Sequence, residues 1–337
     1  MTTITLDSIL AAKTAKDLFG EKDNPKANKL YKKYLHISHP DMYSPLGDEA
    51  SKANSAFIHL TKLWEEYNGK VDKAAEGIIK TKKREYHLGE LDFDYDGFAI
   101  FKATYDGGHK TSYLSFPKNV KNNDLVDNYK SKLKKINSDV NPRFKAFYPE
   151  LLESFRFSID GQVRNFISYE MPDGFYSLRQ VMEDYPEGIH GRDIAWIFKR
   201  ILIGLGNAHE LGIIHGAINP DSILIHPEQH GLIIRDWQYA VEDGEALSAI
   251  PMTNKALYPQ YVFDKEEAHK ELDFYLAANT MELLYRDDMP KGLRAFFNGC
   301  KLSKMPFADD LLGEFDFILE KVYGEKSFHE FRMKRNK

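Results

Sequence analysis

The stretch His209–Ile225, HELGIIHGAINPDSILI, has the most regular local pattern in the chain. A helix is predicted to end at Gly212, because glycine is common directly after the last helical residue. The next residues predict a short strand, a turn that contains Pro220, and a second strand over Ile223–Ile225. A further apolar stretch, Gly231–Trp237, repeats the strand pattern. Short strands joined by tight turns are therefore predicted to follow a helix.

The residues before this stretch predict a small sheet with one helix, and a mostly helical part is predicted to begin near Leu178. A strand-rich part followed by a helical part is typical of an α+β fold. The predicted elements of the sheet are a strand over Asp94–Tyr105, a turn at Asp106-Gly107-Gly108, a strand over Lys110–Pro117, a helix over Asp124–Ile136, and strands over Leu152–Ile159 and Gln162–Tyr169.

Several segments resemble the protein-kinase fold, in the order and spacing that this family uses. The likeness covers roughly Tyr86 to Tyr323 and implies a bilobal domain with a small β-rich lobe and a larger helical lobe. The matching segments are Tyr169–Pro172 for the connector between the lobes, His209–Ile225 for the catalytic loop, Leu232–Gln238 for the metal-binding loop, Tyr258–Gln260 for the end of the activation segment, and Asp273–Ala277 for the start of the central helix.

The resemblance also implies that the catalytic positions are changed. Phosphoryl transfer needs a base for the substrate hydroxyl, metal ligands, and a lysine on the nucleotide phosphates. The residues at these positions are Ala217 for the base, Asn219 for the neighbouring lysine, Ser222 for the metal-binding asparagine and Ser115 for the strand lysine, with Lys110 or Lys118 as substitutes from a shifted register. Loss of a general base alone costs about 10² to 10⁴ in rate. We therefore expect a pseudokinase without catalytic residues.

The phosphate-binding loop of the family is eroded as well. Gly89 and Gly97 flank three carboxylates, which repel a triphosphate unless a metal ion intervenes. These carboxylates belong to Asp92, Asp94 and Asp96. The helix predicted over Asp124–Ile136 offers no obvious glutamate partner for a strand lysine.

Three further residues of this domain have assigned roles. Asp236 stands at the metal-binding aspartate, so it is either a residual metal or nucleotide ligand or a turn aspartate that caps the local backbone. His215 is expected to be a structural loop histidine rather than an acid or base. Asp273 is expected to be buried at a helix start, where it accepts hydrogen bonds from backbone amides.

A second motif, His39-Pro40-Asp41, lies between two predicted helices near the N-terminus. Ala27–Ser38 has apolar residues at helical spacing, and Ala53–Tyr67 has a stripe of small and then large apolar residues. Two such helices can pack as an antiparallel hairpin. Because Pro40 disfavours helix at the residue before it, His39 and Asp41 are predicted to project from a fixed bend. Lysines occupy the outer face of the first helix: Lys26, Lys29, Lys32 and Lys33.

This arrangement resembles the J-domain of DnaJ-family co-chaperones over roughly Ala15 to Gly69, with Ala15–Gly20 matching the family's opening turn. The resemblance implies that His39-Pro40-Asp41 stimulates ATP hydrolysis by a DnaK-type chaperone. It also implies that the four lysines dock on an acidic surface of that chaperone. The basic fourth helix of the family is missing, with a remnant suggested at Lys80, Lys82, Lys83 and Arg84.

The bulk composition limits the classes of protein and partner. With 337 residues, 42% of them hydrophobic, the chain is long enough for two packed domains. A net charge of -5 gives no basic field for nucleic acid. No apolar run reaches the roughly 20 residues of a membrane span, and a single cysteine suits a reducing compartment, so a cytoplasmic protein is expected. The expected domains are a J-domain over 1–70, a linker over 71–85 and a kinase-like domain over 86–337.

These patterns favour a co-chaperone in which the kinase-like domain is a scaffold for a client or partner. The expected partners are a DnaK-type ATPase chaperone and an unidentified client protein, without nucleic acid or membrane. No cofactor is expected to be required, and weak binding of ATP with magnesium is left open. The alternative is an atypical phosphotransferase or nucleotidyltransferase that holds metal through Asp236 and the carboxylates of Asp92, Asp94 and Asp96.

Overall fold

The computed structural model divides into two compact units, Met1–Ala75 and Glu76–Lys337. The residues that it describes are 5–21, 24, 26–38, 48–67, 77–95, 97–159, 161–302, 307–325 and 328–336. Within these ranges, none of the helices combines the length and the apolar composition needed to cross a bilayer.

The described part of the first unit consists of helices and the loops between them. The helices are α1 (Leu6–Leu10), α2 (Ala15–Phe19), α3 (Ala27–Ser38) and α4 (Asp48–Tyr67). Helix α3 has the predicted bounds. The apolar stripe predicted on α4 is also confirmed, because Ala53, Ala56 and Leu60 are fully buried.

Phe19 is the centre of the first unit's core and is fully buried. Its ring contacts Trp64 and Tyr67 of α4 at centroid distances of 4.9 and 5.4 Å, and Tyr31 of α3 stacks on Trp64 at 4.3 Å. The Tyr67 hydroxyl donates to the Glu21 carbonyl at 2.8 Å. Aromatic pairs of this kind add about 0.5 to 1.5 kcal/mol each beyond area burial. They hold α2, α3 and α4 together.

The second unit begins with an antiparallel sheet, which among the described residues has six strands in the order β1-β2-β3-β4-β6-β5. Helix α5 lies between β4 and β5 in the chain. The elements are β1 (Ile78–Lys80), β2 (Glu85–Tyr95), β3 (Phe98–Tyr105), β4 (Lys110–Pro117), α5 (Asn123–Asp139), β5 (Glu150–Ile159) and β6 (Gln162–Glu170).

Two expectations about the start of this unit are wrong. The single strand predicted over Asp94–Tyr105 is divided, because Gly97 has a φ of +79° and turns the chain between β2 and β3. The predicted linker contains β1 and the turn into β2, since Ile79 is 3% exposed and pairs with Tyr86.

The suggested remnant of a basic helix is not helical. Lys80 ends β1 and pairs with Glu85, and the Thr81 amide donates to the Arg84 carbonyl at 2.8 Å. These residues form the β1–β2 turn because Thr81 Oγ1 also accepts from the amides of Lys83 and Arg84.

The remainder of the second unit is mostly helical, as predicted. Helix α6 starts at Leu178, where the Ser177 side chain and Gln180 form a capping box. The elements are β7 (Tyr176–Ser177), α6 (Leu178–Asp184), α7 (Gly191–Glu210), β8 (Ile213–Ile214), β9 (Ile223–His226), β10 (Gly231–Ile234), β11 (Val241–Glu242), α8 (Gln260–Phe263), α9 (Lys270–Glu282), α10 (Lys291–Leu302) and α11 (Ala308–Tyr323).

One large apolar core joins the sheet and the helices of the second unit. Helix α5 packs on the inner face of the sheet through Tyr129, which lies 5.7 Å from Tyr169 of β6 between ring centroids. Trp237, which follows β10, is fully buried and lies 5.7 Å from Tyr148. This core therefore supports the loops on either side of Ala217 and Asp236, the positions that the sequence singles out.

Candidate functional site: the kinase-like cleft

The loop between β8 and β9 holds three of the predicted degenerate positions. Ala217 is fully buried and carries only a methyl group, so it offers no proton acceptor. Asn219 Nδ2 donates to the Ala217 carbonyl at 2.8 Å, and its Oδ1 accepts from the Asp221 amide at 2.8 Å. Ser222 Oγ accepts from the Asn219 amide at 3.0 Å. Asn219 and Ser222 thus bind the loop to itself.

Asp273, in the first turn of α9, fixes the start of this loop. Its two carboxylate oxygens accept from the backbone amides of His215 and Gly216, both at 2.8 Å. His209 Nε2, near the end of α7, lies 2.8 Å from the same carboxylate. Asp273 is fully buried, so these contacts replace its hydration. The predicted backbone-bonding role of Asp273 is confirmed.

His215 is held in its neutral form. Its Nε2 lies 2.8 Å from the Arg235 carbonyl, and its Nδ1 accepts from the Ala217 amide at 3.2 Å. One donating and one accepting ring nitrogen match a neutral imidazole. Burial lowers the pKa of His215 below its ordinary value of 6.5, outweighing the nearby Asp273 carboxylate. His215 is therefore a structural residue, as expected from the sequence.

Asp236 is 1% exposed and has a φ of 72° and a ψ of 42°, the left-handed region that aspartate tolerates better than most residues. Its amide donates to the Tyr129 hydroxyl of α5 at 3.4 Å. From the same helix, Asn128 Nδ2 donates to the carbonyls of Gln238 and Ala240 at 3.0 and 2.8 Å. Side chains of α5 thus hold this segment by hydrogen bonds to the backbone of the segment. The helix contains no glutamate.

Arg235 is the cleft residue that the sequence reasoning missed. Its guanidinium is completely buried between two carboxylates, with Nη1 3.5 Å from Asp92 Oδ2 and Nε 3.7 Å from Asp236 Oδ2. Nε also donates to the Asp221 carbonyl at 3.1 Å. The Arg235 guanidinium therefore lies beside Asp236, the residue predicted at the metal-binding position, and links it to Asp92 of β2. The available signal was an arginine directly after the apolar run Leu232–Ile234.

The segment predicted to be an eroded phosphate-binding loop, between Gly89 and Gly97, is part of the β-hairpin of β2 and β3. Gly89 lies within β2, and a Cβ there would lie 2.9 Å from the Lys102 carbonyl, so glycine is needed for close strand pairing. Gly97 forms the turn into β3. Asp92 reaches Arg235, whereas Asp96 and the side chain of Asp94 lie outside the described residues.

Ser115 lies in the middle of β4, buried between Ile100 and Ile167 on the neighbouring strands. The two suggested substitutes lie at the ends of that strand. Lys110 Nζ is 3.8 Å from Asp106 in the β3–β4 turn, and the Lys118 amide donates to the Gly97 carbonyl. The structure does not bring either lysine to the Ser115 position.

Lys102 of β3 is a cation of the cleft that the sequence reasoning did not identify. Its Nζ donates to Asp173 Oδ1 at 2.9 Å, just after the connector between the sheet and the helices. This bond raises the pKa of Lys102, and the Asp92 carboxylate contributes further. The half-exposed Lys102 ammonium thus links the sheet to the segment that leads from the sheet to the helices.

A partly buried ion pair braces the far side of the loop between β8 and β9. Arg179 of α6 binds Asp221 with two hydrogen bonds, at 3.0 and 2.9 Å. Asn254 Nδ2 donates to the same carboxylate at 3.2 Å. Since these partners lie 42 and 33 residues from Asp221 in the chain, no local pattern could have identified them.

In the first unit, His39, Pro40 and Asp41 lie outside the described residues. The helices on both sides of the motif, α3 and α4, are described. The lysines proposed for docking all have exposed side chains on or just before α3: Lys26, Lys29, Lys32 and Lys33.

The chain is similar in fold to solved protein-kinase domains. The crystal structure of the BubR1 kinase domain matches with a TM-score of 0.57 and 12% identity, covering 83% of this chain and 95% of that one. The structure of vaccinia related kinase 3 matches with a TM-score of 0.54 and 13% identity, covering 74% and 91%. No family model and no curated protein matches the sequence. The chain therefore contains a protein-kinase-like fold.

Proposed function

We propose that this protein is a co-chaperone whose N-terminal unit is a J-domain and whose kinase-like unit is a catalytically inactive scaffold. The J-domain stimulates the ATPase of a DnaK-type chaperone through His39-Pro40-Asp41. The kinase-like unit binds the client or partner protein that the chaperone acts on.

The observation that carries the proposal is the position of His39-Pro40-Asp41 in the sequence between α3 and α4. These helices pack through Tyr31 and Trp64, and Phe19 of α2 contacts both rings. Four exposed lysines precede the motif, one just before α3 and three on that helix. Complementary charge accelerates and orients protein encounter, so such a face suits an acidic surface on a partner.

The cleft supports the scaffold role of the second unit. Ala217 cannot accept a proton, Ser115 cannot bind a phosphate as a lysine does, and Arg235 already pairs with Asp92. Removal of a base and of transition-state electrostatics each costs about 10² to 10⁴ in rate, although the losses are not additive. The fold is kept while the reacting groups are missing.

Single-turnover ATP hydrolysis by a DnaK-type chaperone tests the first half of the proposal. The full-length protein is expected to accelerate hydrolysis, and His39→Gln is expected to remove the acceleration. His59→Gln is a matched control, because it changes a histidine to glutamine on α4, outside the motif, where His59 Nε2 lies 2.7 Å from the Ala12 carbonyl. Equal acceleration by wild type and His39→Gln would refute the J-domain assignment.

A second candidate is an atypical phosphotransferase or nucleotidyltransferase. It is favoured by the convergence of Asp92 and Asp236, which lie 3.5 and 3.7 Å from one guanidinium and could hold a metal ion if Arg235 moved away. Thermal denaturation with ATP and Mg²⁺ or Mn²⁺ distinguishes the two functions. Metal-dependent stabilisation that disappears in Asp236→Ala, together with a phosphorylated or nucleotidylated product, would replace the scaffold with an enzyme.

A further inference from the structure

A cluster of two histidines and one aspartate lies outside the cleft, where the chain enters α7. It is formed by His190, Asp193 and His329, and their nearest ligand atoms all lie within 4.8 Å of one another. His190 and Asp193 belong to the helix start, while His329 comes from a segment 136 residues after Asp193. Two distant parts of the second unit therefore meet at this point.

The polar groups of the cluster are already directed toward one another. His329 Nδ1 lies 2.8 Å from Asp193 Oδ1, and the rings of His190 and His329 stack with centroids 4.8 Å apart. Asp193 is 2% exposed, and burial raises its pKa despite the nearby histidines. A buried carboxylate is stabilised when a positive charge binds to it.

The surroundings hold His329 in position. Phe328 stacks on His230 at 4.4 Å, and His230 in turn stacks on Trp196 of α7 at 4.2 Å. Stacked rings limit the rotation of the side chains that form them, but Phe328 is 68% exposed, so the stack orients His329 without excluding water. This stack therefore pre-positions a ligand that would otherwise lie on an irregular segment.

We propose that His190, Asp193 and His329 bind a zinc ion that fastens the C-terminal segment 328–336 to the start of α7. Imidazole nitrogen and carboxylate oxygen are ordinary zinc ligands, with bonds of about 2.0 to 2.2 Å. Ligand atoms of a tetrahedral zinc site lie about 3.4 Å apart, so side-chain movements on the order of 1 Å complete the geometry. Three protein ligands leave the fourth position to water.

Two local contacts change when the ion binds. The His329–Asp193 hydrogen bond is replaced by bonds from both groups to the ion. His190 Nδ1 also releases the Arg192 amide, which it accepts at 3.2 Å as the helix cap. Loss of a cap costs about 1 kcal/mol, which is small beside the free energy of zinc coordination. The Asp193 carboxylate offsets the repulsion between the positive helix end and the cation.

The test is equilibrium dialysis of the full-length protein against zinc, after treatment with a chelator, with the bound metal measured by mass spectrometry. Wild type is expected to retain about one zinc ion per chain at this site, and His329→Ala and Asp193→Asn are expected to lose it. His269→Ala is the matched control. His269 also lies 2.8 Å from an aspartate, Asp243, but its second carboxylate contact uses the other ring nitrogen, so the ligands do not converge.

Limited trypsin digestion gives a readout that does not depend on the variants. Zinc is expected to slow cleavage after Arg332, Lys334 and Arg335 in wild type, and a chelator is expected to restore it. Bound Co²⁺ is expected to give the visible absorption bands of a four-coordinate ion. The proposal is overturned if wild type retains no zinc, or if His329→Ala and Asp193→Asn retain as much as wild type.

Discussion

Charged residues have opposite settings on α3 of the first unit and in the loops around Ala217 and Asp236 of the second unit. In the first, Lys29, Lys32 and Lys33 are exposed on the outer face of α3. In the second, Asp273 and Arg235 are completely buried. Asp273 accepts from the Gly216 amide, and Arg235 donates to the Asp221 carbonyl. Exposed charges are available to a partner, whereas buried charges maintain a loop structure. The lysines of α3 are therefore suited to recognition, and Asp273 and Arg235 to holding the loops around Ala217 and Asp236 in place.

The largest effect is expected when the buried architecture is broken at Asp273. Asp273→Ala leaves the amides of His215 and Gly216 without their acceptor, and each unsatisfied buried donor costs about 1 to 3 kcal/mol. We expect the free energy of unfolding to fall by about 3 to 5 kcal/mol, measured by urea denaturation with tryptophan fluorescence. Asp287→Ala, at an exposed aspartate, should leave stability within about 0.5 kcal/mol of wild type. A small loss in Asp273→Ala would mean that the loop does not depend on this carboxylate.

Replacement of the buried cation should have the next largest effect. Arg235→Met removes the positive charge beside Asp92 and Asp236, and loss of one partner of a buried pair costs about 3 kcal/mol. If the two carboxylates can then accept a metal, millimolar Mg²⁺ should raise the melting temperature of Arg235→Met but not of wild type. Thermal denaturation with and without Mg²⁺ measures this. An equal response of both proteins would show that Arg235 does not compete with metal.

A pH-dependent effect is expected from His215. Below pH 6.5 the unfolded chain binds a proton at this residue, while the buried folded form does not, because its pKa is lowered by burial. Stability is therefore present above pH 6.5 and is lost as the pH falls, by up to about 1.4 kcal/mol per pH unit. Denaturation between pH 5 and 7 should show a shallower slope for His215→Gln than for wild type. Parallel slopes would contradict a buried neutral histidine.

The smallest effect concerns the exposed charges of the first unit. Lys29→Glu with Lys33→Glu should raise the concentration for half-maximal stimulation of a DnaK-type ATPase about three- to tenfold, because each exposed pair contributes less than about 1 kcal/mol. The difference should shrink as salt rises. Lys121→Glu with Lys145→Glu, on the second unit, is the control. If both double variants behave alike, the lysines of α3 do not form a docking surface.

Elements with strong local periodicity could be predicted from the sequence, and contacts between distant residues could not. Helix α3 and strand β4 have the predicted bounds, because each has a regular pattern between clear stop signals. The backbone-binding role of Asp273 followed from its position in a recognised loop order. The pairing of Arg179 with Asp221 depends on how α6 packs on the loop, 42 residues away, and no local pattern encodes that.

The burial of Arg235 and the cluster around Asp193 are further examples of this limit. The one signal for Arg235, its position directly after the apolar run Leu232–Ile234, does not distinguish a buried ion pair from an exposed strand end. The contact between His329 and Asp193 depends on how the chain folds over the 136 residues that separate them, and no local pattern shows that. The function of the first unit also stays a prediction from its motif.

The complete burial of Ala217 restricts what a substitution at this position could do. An aspartate introduced there would enter a site without solvent, beside an Asn219 side chain that already donates to the Ala217 carbonyl. An uncompensated carboxylate at such a position would tend to take up a proton or to open the loop. A single Ala217→Asp substitution would therefore not by itself supply an ionised proton acceptor. A working proton acceptor at this position would first require that the hydrogen bonds of Asn219 within the loop be rearranged. Single substitutions at Ala217 do not achieve that.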